Sequence, residues 1–455
     1  TEAFWDTVML GKKYDKALGI DEGLIKKMRN EVSFWYPMDL RVSGKDLIPN
    51  HLTMSLYNHA AVWKDEPSMW PLGIFCNGHV QVDAEKMSKS KGNFITMEGA
   101  IELWGSDATR FTCADAGDGI LNANYDRVVA DRAILSLTTE LEWLTDILGG
   151  KKMKGVTGPA LRAKGAAPVW LDAWFANQMV VLCHEAADKY QTMRFKEALK
   201  VGYYLMQEAR DRYRAGTAHV GADEALVRQW AEWQALFMVP ITPHWSEAMW
   251  ELLGKSGCIV QARWPSPKVK EDAQISAAGE YLFEVAHKLA AALANMGKKK
   301  PAKGKEPEPV EKPNQVNLYV AQRFPRWKEI VLDLLLKHFN EETSEVSAEV
   351  MPMINKNEEL KAFNKGKQVP QFAAMVREEA KSKGKAALAL SMPFDELSTL
   401  TNNLPYLCAT LNVAKIHLYT DASESYPQPE VQQAAVPGKP SPHFYFSEDL
   451  SGPPP

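Results

Sequence analysis

The sequence predicts an α/β domain of the doubly wound kind, followed by an all-α helix bundle and a small α+β domain. Three observations predict it. Short β-rich runs alternate with helical ones over residues 1–133. A helical period runs almost unbroken from 134 to about 265. Alternation returns after a Lys/Pro-rich stretch at 297–313. At 455 residues, 45% hydrophobic and 24% charged, the chain is long enough for several domains with real cores.

In the first part, residues 32–44 are aromatic and β-branched enough for a strand that closes on Gly44. Asn50 then offers an N-cap, with Leu52, Leu56, Ala60 and Trp63 at helical spacing. A second strand is expected at 72–76, continuing through 78–82, which makes a parallel βαβ unit. In the bundle, Leu171, Trp174, Phe175 and Met179 share one helical face, and Phe195, Leu199, Tyr203 and Met206 another. Trp230, Trp233 and Phe237 continue the period until Pro240 and Pro243 interrupt it. It resumes over 247–253, with Gly254 as the stop. Residues 297–313 can build no core and read as a charged, flexible linker. Beyond them, 316–320 alternates like a strand, 327–339 is helical, and 409–419 alternates again. The expected divisions are therefore 1–133, 134–268, a helix and linker over 269–313, and 314–455.

Composition narrows the function classes. Five scattered cysteines without a C-x-x-C pair argue for a reducing compartment and against a zinc knuckle or disulfide framework, and no metal site is legible. No apolar run reaches membrane-spanning length, and the first residues carry no signal-peptide pattern. The expectation is a cytoplasmic chain with no membrane partner. The absence of an initial methionine suggests a start inside a longer protein. A net charge of −4 does not favour nucleic acid, although phosphate contacts need only a local basic face.

The string that carries chemistry is Lys86-Met87-Ser88-Lys89-Ser90, followed by Lys91-Gly92-Asn93. It is a short polar loop directly after a predicted strand, where ligands of open α/β sheets bind. Ammonium groups there can neutralise charge on a departing pyrophosphate, and a loop lets them engage in the transition state.

This string resembles the K-M-S-K-S signature of class I aminoacyl-tRNA synthetases. The likeness extends through Asp39 to Leu52, Leu56-Tyr57-Asn58-His59, Asn77-Gly78-His79, Ala114 to Asp118 and Asn122-Ala123-Asn124. In the bundle it includes Phe195 to Lys200, Pro243-His244, Leu252 to Lys255 and Ala262 to Pro265. It thins after Tyr319-Val320-Ala321, Trp327 and Lys337-His338-Phe339. The pattern is similar to leucyl-tRNA synthetases of the archaeal and eukaryotic cytosolic type. The resemblance implies the second half of a Rossmann-type catalytic domain, an anticodon-binding-type bundle and a tRNA-binding C-terminal domain.

It further implies activation of leucine by ATP to leucyl-adenylate, then transfer to the end of leucine tRNA. Lys86 and Lys89 would hold the ATP phosphates, with Met87 a further ATP-binding residue and Ser88 shaping the loop. Gly44 would allow close approach of the nucleotide, Asp46 would bind the ribose, and His79 and Val80 would border the adenine. His51, Phe34 and Tyr36 would line the leucine pocket. Mg2+ would come with ATP. Asp115 and Asp118 read as structural or as lying near the acceptor strand, without a catalytic role. Lys200, Arg210, Arg212 and Arg214 in the bundle, and Lys365 and Lys367 near the C-terminus, are the candidate tRNA contacts. Solvated surface is the competing reading for each.

The chain lacks the family's H-I-G-H element and has no room for its editing insertion. Both are expected in an N-terminal half that would have to complete the site, and a larger multi-synthetase assembly is a further expected partner. Two readings stay beside the ligase: a non-catalytic tRNA-binding or scaffold fragment, and a synthetase for isoleucine, valine or methionine.

Overall fold

The computed structural model describes residues 1–87, 90, 92–151, 159–296, 311–363, 367–421 and 428–449. It is mostly helical, with small sheets. The chain opens with α1 (Glu2–Met9), α2 (Glu22–Trp35), β1 (Arg41–Gly44), α3 (Thr53–Val62), β2 (Ile74–Asn77), β3 (Val80–Val82) and β4 (Glu85–Lys86). Then come α4 (Met97–Ala116), β5 (Ala123–Tyr125), α5 (Arg127–Leu148), α6 (Trp170–Gln191), α7 (Phe195–Leu199), α8 (Met206–Gly216), α9 (Glu224–Met238), α10 (Pro243–Leu252) and α11 (Ala273–Met296). The last stretch holds β6 (Gln315–Val320), α12 (Arg326–Lys337), β7 (Phe339–Asn340), β8 (Glu345–Val346), α13 (Val350–Lys356), α14 (Glu358–Lys361) and α15 (Gln368–Lys383). It closes with α16 (Glu396–Asn402), α17 (Leu404–Leu411), β9 (Lys415–Thr420), α18 (Pro429–Ala434) and β10 (Ser441–Tyr445). Among the described residues no helix is long and apolar enough to cross a membrane.

Two compact units form. The first comprises Thr1–Thr145, Cys183–Leu205 and Ala231–Pro265; the second comprises Asp146–Leu182, Met206–Trp230 and Ser266–Pro455.

In the first unit, β1, α3 and β2 make the parallel crossover that the spacing predicts, with Arg41 paired to Ile74 and Gly44 to Asn77. Three local expectations need correction. The strand expected over 32–44 is confined to Arg41–Gly44, and residues 22–35 are helical. The Asp21 carboxylate accepts from the Leu24 N–H at 2.9 Å, which starts a helix that buries Ile25 and runs through the β-prone Val32, Phe34 and Trp35. Asn50 is no helix cap: it lies in a π-helical turn, Ile48–Leu52, where its amide oxygen accepts from the His51 N–H. Residues 72–82 are not one strand either. The chain leaves β2 at Asn77 and joins a second sheet, in which β3 runs parallel to β5 and antiparallel to β4.

The bundle residues pack as the helical period requires, with two exceptions. Leu199, Tyr203 and Met206 are buried but Phe195 of the same set is 37% exposed. Trp230 and Phe237 are buried while Trp233 is only half-buried. In the first unit Phe111 meets Tyr203 edge-on at 5.1 Å. Trp245 donates its indole N–H to the Leu137 carbonyl at 2.9 Å. The break falls at Pro240, after α9, and Gly254 follows α10 as expected, but Pro243 begins α10 at its first position instead of interrupting it, so the helix resumes four residues before 247.

In the second unit Phe175 stacks on Tyr213 at 4.3 Å. Tyr213 donates to Asp172 at 2.6 Å, and Arg162 grips both oxygens of that carboxylate at 2.7 and 2.8 Å. Burial raises the Tyr213 phenol, and the hydrogen bond to Asp172 raises it further. Trp174 lies against Gly279, where no side chain could fit. Near the C-terminus Val331, Leu335, Val350, Ile354 and Val376 form one core, and β6 is the centre of a three-stranded sheet between β10 and β9. The alternation expected over 409–419 is strand only from Lys415: residues 409–411 finish α17, which ends at Asn412 in the left-handed region. Phe339, expected in a helix, has left α12 for β7. Of the expected linker, 297–310 lies outside the described residues.

Candidate active site

The carboxyl ends of β1 and β2 lie side by side, and the two family-like strings leave from them. Gly44 pairs with Asn77, so Gly44-Lys45-Asp46 and Asn77-Gly78-His79 leave one sheet end together, the position at which open α/β sheets bind ligands. Lys45 Nζ donates to the Asn122 amide oxygen at 2.8 Å and to the Ile120 carbonyl at 3.3 Å. The same Asn122 oxygen accepts from the His79 N–H at 3.2 Å. A side chain at Gly78 would fall on the Leu121 carbonyl and the Asn122 nitrogen, so this position holds the 119–122 segment against the strand end. The Gly78 N–H seals it, donating to the Gly119 carbonyl at 3.0 Å.

Gly44, Asp46, His79 and Val80 are thus gathered at one edge. The Asp46 carboxylate lies over Gly44, with Oδ1 2.7 Å from where a β-carbon would stand. Asp46 and His79 are both exposed. His51 sits one turn further on, its Nε2 3.2 Å from the Arg41 guanidinium. Asn50 ties that turn back, its amide donating to the Asp46 carbonyl at 3.4 Å.

The aromatic pair separates. Tyr36 stacks against His59 at 6.0 Å and tilts against Trp63 at 5.7 Å, which places it beside α3. Phe34 remains on the open side of α2, 74% exposed, with Trp35 edge-on at 5.0 Å.

Lys86 is exposed on β4, opposite Gln81, and its carbonyl accepts from the Asn93 amide at 3.2 Å. Met87 packs on Val82, Tyr125 and Ala130 with Ile95 and Trp104, which anchors the N-terminal end of the lysine loop in a small core. Ser88 and Lys89 lie outside the described residues. Asp118 accepts from the backbone N–H groups of Phe195 and Lys196, so it caps α7 from a distance. Asp115 adds to the burial that pushes the Tyr204 phenol up to about 12.

The basic candidates differ in availability. Lys200 and Lys367 are exposed. Arg210 is buried, its guanidinium over the Trp230 ring at 5.0 Å and 3.0 Å from Asp211. Arg212 pairs with Glu208 at 2.6 Å and Glu280 at 3.2 Å and lies over Phe283. Arg214 faces Asp211 at 4.0 Å. Lys365 lies outside the described residues.

Sequence reasoning assigned no role to Lys45, Asn122 or Arg41. Lys45 and Asn122 are 77 positions apart, and only the parallel pairing of β3 with β5 brings them together. No local signal could have joined them.

Residues 172–311 match the anticodon-binding domain of tRNA ligases, 320–393 the RagD-binding domain of leucine–tRNA ligase, and 26–132 the class I tRNA synthetases of the methionine group. The chain is 36% identical to the cytoplasmic leucine–tRNA ligase of Pongo abelii over 99% of its length, which is 37% of that protein. It is 34% identical to the Dictyostelium discoideum protein of the same name, over 98% of this chain and 41% of that one. The Arabidopsis thaliana protein gives 34% over 99% of this chain and 42% of its own length. The chain therefore spans about two fifths of these relatives.

Proposed function

Because this chain belongs to the leucyl-tRNA synthetase family, corresponding to its C-terminal portion, we propose that it supplies half of a leucine-activating site and the tRNA-facing regions of a leucine–tRNA ligase. The Rossmann-type half-domain at 1–133, the anticodon-type bundle at 134–268 and the C-terminal tRNA-binding region at 314–455 are the finer parts of that proposal. The observation that carries it is the register of β1 with β2, which sets Gly44-Lys45-Asp46 beside Asn77-Gly78-His79 at one sheet end.

In this reading the leucine carboxylate attacks the α-phosphorus of ATP and pyrophosphate leaves. The ribose 2′-hydroxyl of the terminal tRNA adenosine then attacks the leucyl carbonyl, and AMP leaves. Asp46 accepts hydrogen bonds from the ATP ribose, and His79 and Val80 border the adenine. Lys86 and Lys89 neutralise the departing pyrophosphate, with Ser88 shaping their loop and Mg2+ arriving on the ATP phosphates. His51, fixed by Arg41, borders the leucine side chain with Tyr36. Among the basic candidates Lys200 and Lys367 have free access to phosphate, and Arg212 and Arg214 reach it only by exchanging carboxylate partners. Arg210, buried over the Trp230 ring, is a packing residue. The H-I-G-H element and the editing insertion come from the family's N-terminal half.

Leucine-dependent ATP–pyrophosphate exchange tests this, on the chain alone and with that N-terminal half supplied in trans. Exchange that appears with leucine, and only with the added half, is the expected result. Silence despite association of the two halves would leave a tRNA-binding module. In the complemented enzyme Lys89→Ala should lower the exchange rate at least tenfold, about 1.4 kcal/mol of transition-state stabilisation, with little change in leucine affinity.

A further inference from the structure

Lys45 stands directly before Asp46 at the candidate nucleotide edge, where an ammonium group is ordinarily read as a phosphate ligand. Its surroundings give it another task. The half-buried Lys45 donates from Nζ to two neutral oxygens, the Asn122 amide oxygen at 2.8 Å and the Ile120 carbonyl at 3.3 Å. The Asn122 oxygen also accepts from the His79 N–H at 3.2 Å. An ammonium and a backbone N–H are both donors, so the atom between them must be the amide oxygen, and its two lone pairs are then in use. One oxygen thus joins three segments of chain: the residue after β1, the turn after β2, and the stretch between α4 and β5.

The joint lies where the sheet has stopped holding itself together. The β1–β2 ladder ends at the Gly44–Asn77 pair, and Asp46 and His79 lie beyond it. The 78–80 turn is bound to the 119–123 segment by its own backbone. Gly78 donates its N–H to the Gly119 carbonyl at 3.0 Å, the His79 carbonyl accepts from the Ala123 N–H at 3.0 Å, and Val80 pairs with Ala123. Past the last ladder pair, Lys45 ties that assembly back to the strand from which Asp46 departs. A hydrogen bond from a charged donor is stronger than a neutral one, and an edge set in advance costs a ligand less ordering on binding.

We infer that Lys45 and Asn122 are positioning residues for the adenosine part of ATP, acting as one clasp that holds His79 and Val80 in place opposite Asp46. The inference rests on the reading of this edge as the ATP site of a leucine-activating enzyme and adds to it two residues with a stated task. Lys45 spends its charge inside the protein and leaves the phosphates to the lysine string.

The test uses the 455-residue chain in complex with the family's N-terminal half. It reads the ATP and leucine dependence of pyrophosphate exchange together with the affinities of ATP, AMP and adenosine by titration calorimetry. Lys45→Met should weaken ATP, AMP and adenosine alike, each about tenfold, as expected for loss of one charge-assisted hydrogen bond. The KM for leucine and the melting temperature should stay close to those of wild type. A phosphate ligand would instead weaken ATP and leave adenosine untouched. Asn122→Asp keeps both acceptor positions and should bind adenosine at least as tightly as wild type, whereas Asn122→Leu should match Lys45→Met. Because the two side chains act as a unit, Lys45→Met combined with Asn122→Leu should be no worse than either alone.

ATP weakened with adenosine unchanged, a leucine KM that rises in step with that for ATP, or additive losses in the double variant would overturn the clasp. So would Asn122→Asp binding as poorly as Asn122→Leu, a comparison that decides the matter even if Lys45→Met fails to fold. Lys45→Met that equals an exchanging wild type overturns the clasp and leaves the leucine-activating reading standing. A wild-type complex that binds ATP without leucine-dependent exchange overturns that reading alone, and the adenosine affinities still decide the clasp. One that binds neither ATP nor adenosine overturns both.

Discussion

The two sheets at opposite ends of the sequence are built on different terms. Strands β1 and β2 are a parallel pair whose apolar residues stay open: Val42 is 61% exposed and Leu72, just before β2, is 66%. Strand β6 is buried along its whole length and paired on both sides. Parallel pairs ordinarily have both faces covered, and two strands alone are marginal in water. The difference teaches that the first sheet depends on further packing for its order, which the proposed N-terminal half would supply. The C-terminal sheet carries its own core and can devote a face to polar groups.

The contrast can be broken first at the second unit's buried ion pair. Asp172→Asn leaves Arg162 facing a neutral amide in a buried site, and should cost about 3–5 kcal/mol, read as a lower urea midpoint. A smaller loss would mean that the second unit is less self-sufficient than its packing implies. Gly78→Ala should cost about 1–3 kcal/mol by overpacking the 119–122 segment. Hydrogen exchange should show lost protection confined to residues near β3 and β5. Protection lost equally in the second unit would erase the distinction.

Glu396 gives a pH test. Burial raises its carboxyl above the ordinary 4.5, opposed by hydrogen bonds from Tyr281 and the Gly438 N–H. The folded state then holds this proton at a pH where the unfolded chain has released it, so its contribution is full below 4.5 and is lost as pH rises through the raised value. Glu396→Gln should therefore gain in melting temperature relative to wild type as pH climbs from 4 towards neutrality. A constant difference would refute the assignment. The smallest effect is expected at Trp35, 67% exposed on α2. Trp35→Ala should change the stability of the chain by no more than about 0.5 kcal/mol yet weaken association with the N-terminal half, measured by titration in trans.

Much of the secondary structure was readable from period and punctuation. The faces at Leu171, Trp174, Phe175 and Met179, the proline break at 240–243 and the strand at 316–320 follow from side-chain spacing, which is a local property. The misread stretches are those where local signals compete. Val32, Phe34 and Trp35 favour a strand by type, but the Asp21 cap sets a helix running and Ile25 buries one side of it. At Gly78 the chain changes sheets because a backbone segment 41 or more residues away packs against it, and nothing near Gly78 reports that.

For the candidate site, the Gly44–Asp46 turn is legible in the order of its residues, whereas Ser88 and Lys89 of the lysine string lie outside the described residues. The Lys45–Asn122–His79 junction is not legible there, since it exists only once β3 has paired with β5. Arg210, Arg212 and Arg214 looked alike as basic residues on one helix. Tertiary packing separated them by placing Trp230 and Phe283 beneath the first two and carboxylates beside all three. Read alone, the sequence shows which family strings this chain carries and how its helical elements repeat. Which charges remain free and which glycine must be a glycine depend on contacts between distant residues, and only the folded chain decides them.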